Sequence, residues 1–328
     1  MTKALHIVNP FSNPFGGSEQ RALQLYDRLR AHSDVSLWST GEAHEDIAAR
    51  YPVTGIDIQA GLRPGAGTLI LVGAYFAAER WLGALRPQRI IYVYNTPSKM
   101  LFRKRLELAK TLTGVEPEIV YTSELGAAEI GLKGRIEKSP IDLQRFHPER
   151  RERWSRRDQS FAVGRHSRDV PEKHHGEDAG LYQALGAEGI RVRLMGATCL
   201  RERFAGQAGS IVELLPCGAE PPEDFLARLD CFYYRTSEEW PEAFGRVVAE
   251  AMASGLPVVC DRQVGAAGMI SHGSDGFVVA GTDAALAAIR LLHGDPELRQ
   301  KIGRNARLKA EAVYSSAYQQ DLIDYYTA

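Results

Sequence analysis

Two carboxylates, Glu242 and Glu250, flank the start of a helix in the stretch Ser-Glu-Glu-Trp-Pro-Glu-Ala-Phe-Gly-Arg-Val-Val-Ala-Glu-Ala-Met-Ala-Ser-Gly-Leu-Pro, residues 237–257. Pro241 keeps the residue before it out of helical space. From Phe244 onward, apolar residues at 244, 247, 248, 251 and 252 follow the stripe of an amphipathic helix, and Gly255 supplies its stop. Glu242 precedes the first turn, and Glu250 lies ~12 Å further along at ~1.5 Å per residue. A helix N-terminus presents unpaired N–H groups and partial positive charge, a seat for a phosphate. Gly245 lets a ligand approach the backbone there. A carboxylate on either side of that seat would hold the hydroxyls at both ends of a nucleotide sugar. An ordinary helix also fits the spacing, with acidic residues favoured at the N-terminus and Glu250 on a solvated face.

Cations occur where a partner for such a phosphate is needed. The run Val163-Gly-Arg-His-Ser-Arg-Asp-Val-Pro-Glu-Lys173 ends a strand and places Arg165, Arg168 and Lys173 at its tip. An arginine fork and a lysine point charge suit a diphosphate, and a charged surface loop is the alternative. His166, His174 and His175 read as solvated loop histidines rather than metal ligands, since no carboxylate stands close in sequence. Near the N-terminus, Gly16-Gly17-Ser18 follows a strand and opens a helix. The glycines there permit close approach of an anionic or sugar group, although a tight turn without a ligand fits equally. The loop is neither Gly-x-Gly-x-x-Gly nor a phosphate-binding Gly-Lys-Ser/Thr motif.

The elements that must carry these residues alternate regularly. Strands are predicted at 4–8, 35–38, 68–72, 89–94 and 118–122, with helices at 19–31, 77–85, 98–112 and from 123. This is a doubly wound parallel sheet, with ligands at the carboxyl ends of its strands. The stretch 147–158 is dense in charge and poor in aliphatics, and marks a domain boundary. The alternation then restarts, with strands at 160–163, 191–195, 211–214, 231–234, 258–260 and 276–279. Helices are predicted at 179–185, 222–229, 283–292, 296–312 and 318–326.

The 328 residues, with 40 basic against 41 acidic side chains, argue for two domains and against wholesale nucleic-acid binding. No run approaches the ~18 apolar residues of a membrane span, and the N-terminus reads as a first strand rather than a secretory leader. The four cysteines form no Cys-x-x-Cys pair and read as isolated buried thiols in a reducing cytoplasm.

The stretch Glu242-Ala-Phe-Gly-Arg-Val-Val-Ala-Glu250 resembles the Glu-x7-Glu signature of retaining glycosyltransferases of family 4, which have the GT-B fold. Gly16-Gly17 resembles that family's glycine loop, and residues 139–148 its hinge segment. Val163-Gly-Arg165 through Lys173 resembles its diphosphate-binding segment, and residues 274–279 the strand after the signature. The resemblance implies two Rossmann-like doubly wound parallel-sheet α/β domains facing a central cleft. Residues 1–150 would form the acceptor-side domain and 151–312 the nucleotide-sugar-binding domain, with 313–328 a helix crossing back to the first.

It further implies transfer of a sugar from a nucleotide-diphosphate donor with retention, and no metal or other cofactor. Glu242 would contact donor-sugar hydroxyls, and Arg165 and Lys173 the diphosphate, with Arg168 competing for the arginine's role. Phe244, Gly245 and Arg246 would add backbone N–H groups, Glu250 would take the ribose, and the base would lie near Leu215. Gly16 and Gly17 would line the donor site. Where the family often carries a first-domain histidine, this chain has Asn95, which can hydrogen-bond an acceptor but is no base at neutral pH. The stretch 264–270 lacks the family's Pro-Glu, and the length implies trimmed acceptor loops. The acceptor would be a glycan, a lipid-linked compound or a small molecule. The basic amphipathic helix 98–110 would serve either as a solvated face or as a peripheral contact with anionic membrane at its cytoplasmic side. A GT-B epimerase and a non-catalytic sugar-nucleotide-binding protein are the alternatives.

Overall fold

Strand and helix alternate along the chain in a computed structural model that describes residues 4–74, 81–95, 98–150, 160–204 and 212–328. The chain divides into two units, Met1–Pro140 with Ser316–Ala328, and Ile141–Ser315.

The first unit is built on a parallel sheet of β1 (Leu5–Asn9), β2 (Val35–Ser39), β3 (Val53–Gly55), β4 (Thr68–Val72), β5 (Arg89–Tyr94), β6 (Glu118–Tyr121) and β7 (Arg135–Ile136). Their order is β3-β2-β1-β4-β5-β6-β7. Every residue of β1 and β4 is buried. Helices cover both faces of such a sheet, so its central strands read as continuous apolar runs. The direction of winding reverses between β1 and β4, and the crevice at such a reversal is where open α/β sheets bind ligands. The helix Gly17–Leu29 buries Leu23, Leu25 and Leu29 against one face. The other face takes Phe102, Leu106 and Ala109 of the helix Lys99–Thr113.

The helix Ser316–Thr327, last in the sequence, belongs to this unit. Its Leu322 and Tyr326 are fully buried in one core with Leu25, Ile70 and Val93. Arg21 and Glu137 form an ion pair with both side chains fully buried, and the Tyr326 hydroxyl lies 3.4 Å from the same carboxylate. The Arg89 guanidinium donates to the Tyr325 carbonyl at 2.7 Å and lies over the Tyr325 ring.

The second unit repeats the plan with β8 (Ala162–His166), β9 (Arg191–Met195), β10 (Val212–Leu215), β11 (Cys231–Tyr234), β12 (Val258–Asp261) and β13 (Phe277–Val279). All are parallel, in the order β10-β9-β8-β11-β12-β13, reversing between β8 and β11. The helices Asp178–Ala187 and Thr282–Gly294 supply Leu181, Leu185, Ile289 and Leu292 to its core.

Several expectations need amendment. Of the helix expected at 77–85, residues 77–80 lie outside the described residues, and a 3₁₀ turn, Leu82–Ala84, occupies the rest. Residue 211 of the strand expected at 211–214 likewise lies outside them. The division between units falls at Pro140 rather than within 147–158, of which 151–158 are also outside the described residues. Residues 141–150 are tied to the second unit. Arg145 pairs with Glu223, Arg150 with Asp224, and Arg307 donates to the carbonyls of Leu143 and Phe146. Among the cysteines, Cys231 and Cys260 are buried, whereas Cys199 is exposed.

Candidate functional site

The helix of the two carboxylates runs Arg246–Ala253, two residues shorter at its start than the apolar stripe suggests. Gly245 is its N-cap with φ 83°, the left-handed region in which a Cβ is strained, so helical geometry cannot extend back to Phe244. A Cβ on Gly245 would also lie 2.7 Å from Val264 Cγ1 and 3.3 Å from Glu242 Cγ. The segment before the helix is strapped to the next loop, as Gly265 N donates to the Glu242 carbonyl and Ala266 N to that of Phe244. No side chain caps the helix, and Val248 N closes its first turn onto the Gly245 carbonyl at 2.9 Å.

Glu242 and Lys173 come together from 69 residues apart, the lysine ammonium donating to Glu242 Oε2. Lys173 is only 8% exposed. The Tyr234 hydroxyl donates to the same oxygen at 2.9 Å. Burial pushes the Glu242 carboxyl up. The charge and hydrogen bond of Lys173, the Tyr234 hydroxyl and the charge of Arg168 outweigh that and hold it below its ordinary value. The glutamate is therefore ionised, and Arg168, partly exposed in the loop after β8, is close enough to act on it.

Arg165 stands elsewhere than a direct diphosphate clamp requires. It is 0% exposed, and its guanidinium donates to the backbone carbonyls of Lys173 and Arg235, over the Tyr234 ring at 4.4 Å. Side chains alternate between the faces of a strand, and this one is directed under the Lys173 loop, where Asp178 lies 3.8 Å away. Arg165 thus braces the loop that carries Lys173.

Glu250 is buried, with Oε1 accepting from Arg246 one helical turn earlier at 3.1 Å and Oε2 lying 3.4 Å from His166 Nε2. Burial, reinforced by neighbouring arginines and opposed by Glu250, pushes the His166 imidazole below its ordinary value, so the ring is neutral. Leu215, half-buried, ends β10, and its carbonyl accepts from Gly196 N and Ala197 N. Glu242, Glu250, Phe244, Gly245, Arg246, Arg165, Arg168, Lys173 and Leu215 thus share the carboxyl-end region of one sheet.

The three histidines expected in solvent are buried. His166 packs against Phe225 and Phe232, His174 lies 2.9 Å from the Gly196 carbonyl, and His175 Nε2 lies 2.9 Å from Arg235. Burial drives His174 down to about 3. Among the described residues no cluster of three His, Cys, Asp or Glu has metal-holding geometry.

Gly16, Gly17 and Asn95 belong to the first unit, at the carboxyl ends of β1 and β5. Gly73, after β4, has φ 87°, and a Cβ there would meet Asn95 Oδ1 and Ser18 Cβ at 3.4 Å. The glycine loop and Asn95 therefore converge on the reversal point of that sheet. Thr96 and Pro97, beside Asn95, lie outside the described residues.

Sequence reasoning missed Tyr234 and His166 as partners of the two glutamates. Tyr234 ends the apolar run Cys231–Tyr234, where a tyrosine looks like any core aromatic. His166 follows Arg165 directly, but only its burial distinguishes it from a loop histidine.

Residues 216–309 match the family described as Glycosyl transferases group 1. The chain is 28% identical over 168 residues to a capsular polysaccharide biosynthesis glycosyltransferase, CapM, of Staphylococcus aureus, across 48% of this chain and 43% of that one. It is 42% identical over 72 residues to a D-inositol 3-phosphate glycosyltransferase of Pseudarthrobacter chlorophenolicus, across 21% and 17%. The matched stretches thus span less than half the length of these relatives. Among solved structures, Anabaena HepE in complex with UDP and glucose aligns at a TM-score of 0.76 with 17% identity, covering 99% of both chains. WaaG, a glycosyltransferase involved in lipopolysaccharide biosynthesis, aligns at 0.72 with 16% identity, covering 99% of this chain and 100% of that one. The chain has the GT-B fold, and its second unit carries the group 1 glycosyl transferase sequence pattern over 216–309.

Proposed function

We propose that the protein transfers a sugar from a nucleotide-diphosphate donor to a carbohydrate, lipid-linked or small-molecule acceptor, with retention at the anomeric carbon and without a metal. The observation that carries this is the Lys173–Glu242 pair set before a helix N-terminus with no side-chain cap; Glu242 and that helix lie within the stretch 216–309 that matches group 1 glycosyl transferases. As the bond to the leaving diphosphate breaks, negative charge grows on it. Lys173, Arg168 and the backbone donors of Gly245 and Arg246 supply the stabilisation that a metal gives elsewhere. Glu242 holds a donor-sugar hydroxyl, and Glu250, braced by Arg246, takes the ribose. The base lies against the end of β10 near Leu215. Arg165 acts through the Lys173 loop.

At the first unit's reversal point, Gly16 and Gly17 line the donor site, and Asn95, on the acceptor side, binds a hydroxyl without taking its proton. The acceptor proton would then pass to the leaving phosphate. Asn95 also favours a second reading, a non-catalytic sugar-nucleotide-binding protein. Nucleotide release from UDP-, GDP-, dTDP- and ADP-sugars separates the two. An enzyme releases nucleotide slowly even without acceptor, and Glu242→Gln and Lys173→Ala suppress that release. Wild-type rates in both variants refute the assignment, and no release from any donor favours the binding protein. Chelator treatment that abolishes release would refute metal independence. A product with inverted anomeric configuration by proton NMR would refute retention.

The helix Lys99–Thr113 exposes Lys99, Arg103 and Lys104 beside Met100, which is 84% exposed. We extend the proposal to peripheral contact with anionic lipid through this face. No helix among the described residues is long and apolar enough to cross a membrane. Cosedimentation with phosphatidylserine vesicles that weakens with salt supports the contact, and its absence refutes it.

A further inference from the structure

We propose that Tyr234 is the positioning residue for Glu242, fixing one carboxylate oxygen so that the other is presented to a substrate hydroxyl. This rests on the glycosyl-transfer reading of the site. Both anchors of the carboxylate converge on Oε2, the Tyr234 hydroxyl at 2.9 Å and the Lys173 ammonium. Among the described residues no protein group binds Oε1, and the side chain is 16% exposed, so the open edge of the carboxylate faces outward.

The two anchors differ in what a substrate does to them. Lys173 is a cation, and an arriving diphosphate competes with Glu242 for it. A phenol hydroxyl carries no charge for the diphosphate to attract, so Tyr234 keeps Glu242 in place while Lys173 is shared. Its ring cannot swing away. It is 2% exposed, stacked on Phe232 at 6.1 Å with the planes 14° apart, and covered by the Arg165 guanidinium at 4.4 Å. A Cβ on Gly245 would come within 3.7 Å of its edge. Burial and the Glu242 charge push the phenol well above its ordinary value, so it stays a donor throughout the working range. Arg165 serves the same assembly by donating to the Lys173 and Arg235 carbonyls from its place over the ring.

Tyr234→Phe keeps the ring, the stack and the cation contact and removes one hydroxyl. Loss of a hydrogen bond to a charged group should lower kcat for nucleotide release by about ten- to a hundredfold. Binding of UDP, GDP and ADP should stay within about twofold, because the hydroxyl that is removed bonds Glu242 and carries no charge for the diphosphate. The acidic limb of kcat against pH should move upward, since a donor to the ionised form is lost. The other groups acting on Glu242 are unchanged: Lys173 and Arg168 from the loop after β8, and Cys260 from β12. A carbon-13 titration of the Glu242 carboxyl should show the same upward move without any substrate. A wild-type kcat with an unmoved titration overturns the proposal. So does equal loss of binding and turnover, which marks a merely structural tyrosine. If the wild-type protein releases no nucleotide from any donor, the glycosyl-transfer reading fails and this proposal with it; failure of Tyr234→Phe alone leaves that reading standing.

Discussion

Gly245→Ala tests the local geometry of the site without reference to any substrate. The residue is held at φ 83°, where an L side chain costs ~1–2 kcal/mol. The new methyl would stand 2.7 Å from Val264 Cγ1, and Val264 is 1% exposed with no room to retreat. Overpacking of this kind adds ~1–3 kcal/mol. The stiffer unfolded chain returns ~0.4–1 kcal/mol, which leaves a net destabilisation of roughly 2–4 kcal/mol. At ~2–4 °C per kcal/mol for a domain of this size, the second unit's melting transition should fall by about 5–15 °C. Gly189 supplies the control. It has φ 79° but open space around its Cβ, so Gly189→Ala carries the backbone cost alone. Calorimetry of both variants separates strain from collision. If Gly245→Ala melts with Gly189→Ala or with the wild type, the packing of this helix start against Val264 and Glu242 is wrong.

Further outcomes follow from other contacts. Lys173→Ala leaves a mostly buried Glu242 without its cation and should destabilise the second unit by about 1–3 kcal/mol near pH 7, as urea unfolding would show. Because the folded-state value of Glu242 is depressed, its contribution is complete above its unfolded value and lost as pH falls through the folded one. The difference between variant and wild type should therefore shrink below pH ~4. Deleting residues 316–328 removes Leu322 and Tyr326, both fully buried, and should cost the first unit roughly 3–6 kcal/mol at ~1.5–3 kcal/mol each, read as a lower first melting transition. Glu137→Ala strands a fully buried Arg21 and should cost about 3–5 kcal/mol; a loss below 1 kcal/mol by urea unfolding would show that the pair is not held as described.

The parallel architecture was legible because buried central strands spell themselves as apolar runs, as at Thr68–Val72 and Arg89–Tyr94. The edge strands Val53–Gly55 and Arg135–Ile136 were not, being short and only half-covered. Motif spacing located the helix of Glu242 and Glu250, but the stripe beginning at Phe244 overran a backbone reversal that depends on one glycine's φ. Spacing also put Arg165 at a strand tip without revealing which face it takes. That face is decided by the alternation of β8 and by the carbonyls waiting under the Lys173 loop. Tyr234 carried no local signal at all, because its significance lies in a hydroxyl meeting a carboxylate that the strand pattern cannot see.

The helix Ser316–Thr327 also sets an order of events during synthesis. Residues 141–315 form one uninterrupted stretch and can fold as soon as they leave the ribosome. The first unit, although translated earlier, lacks Leu322 and Tyr326 and the partner of the Arg21–Glu137 pair until the final helix emerges. The first unit is therefore discontinuous in sequence, and its apolar interior is completed only by a segment that follows the whole of the second unit.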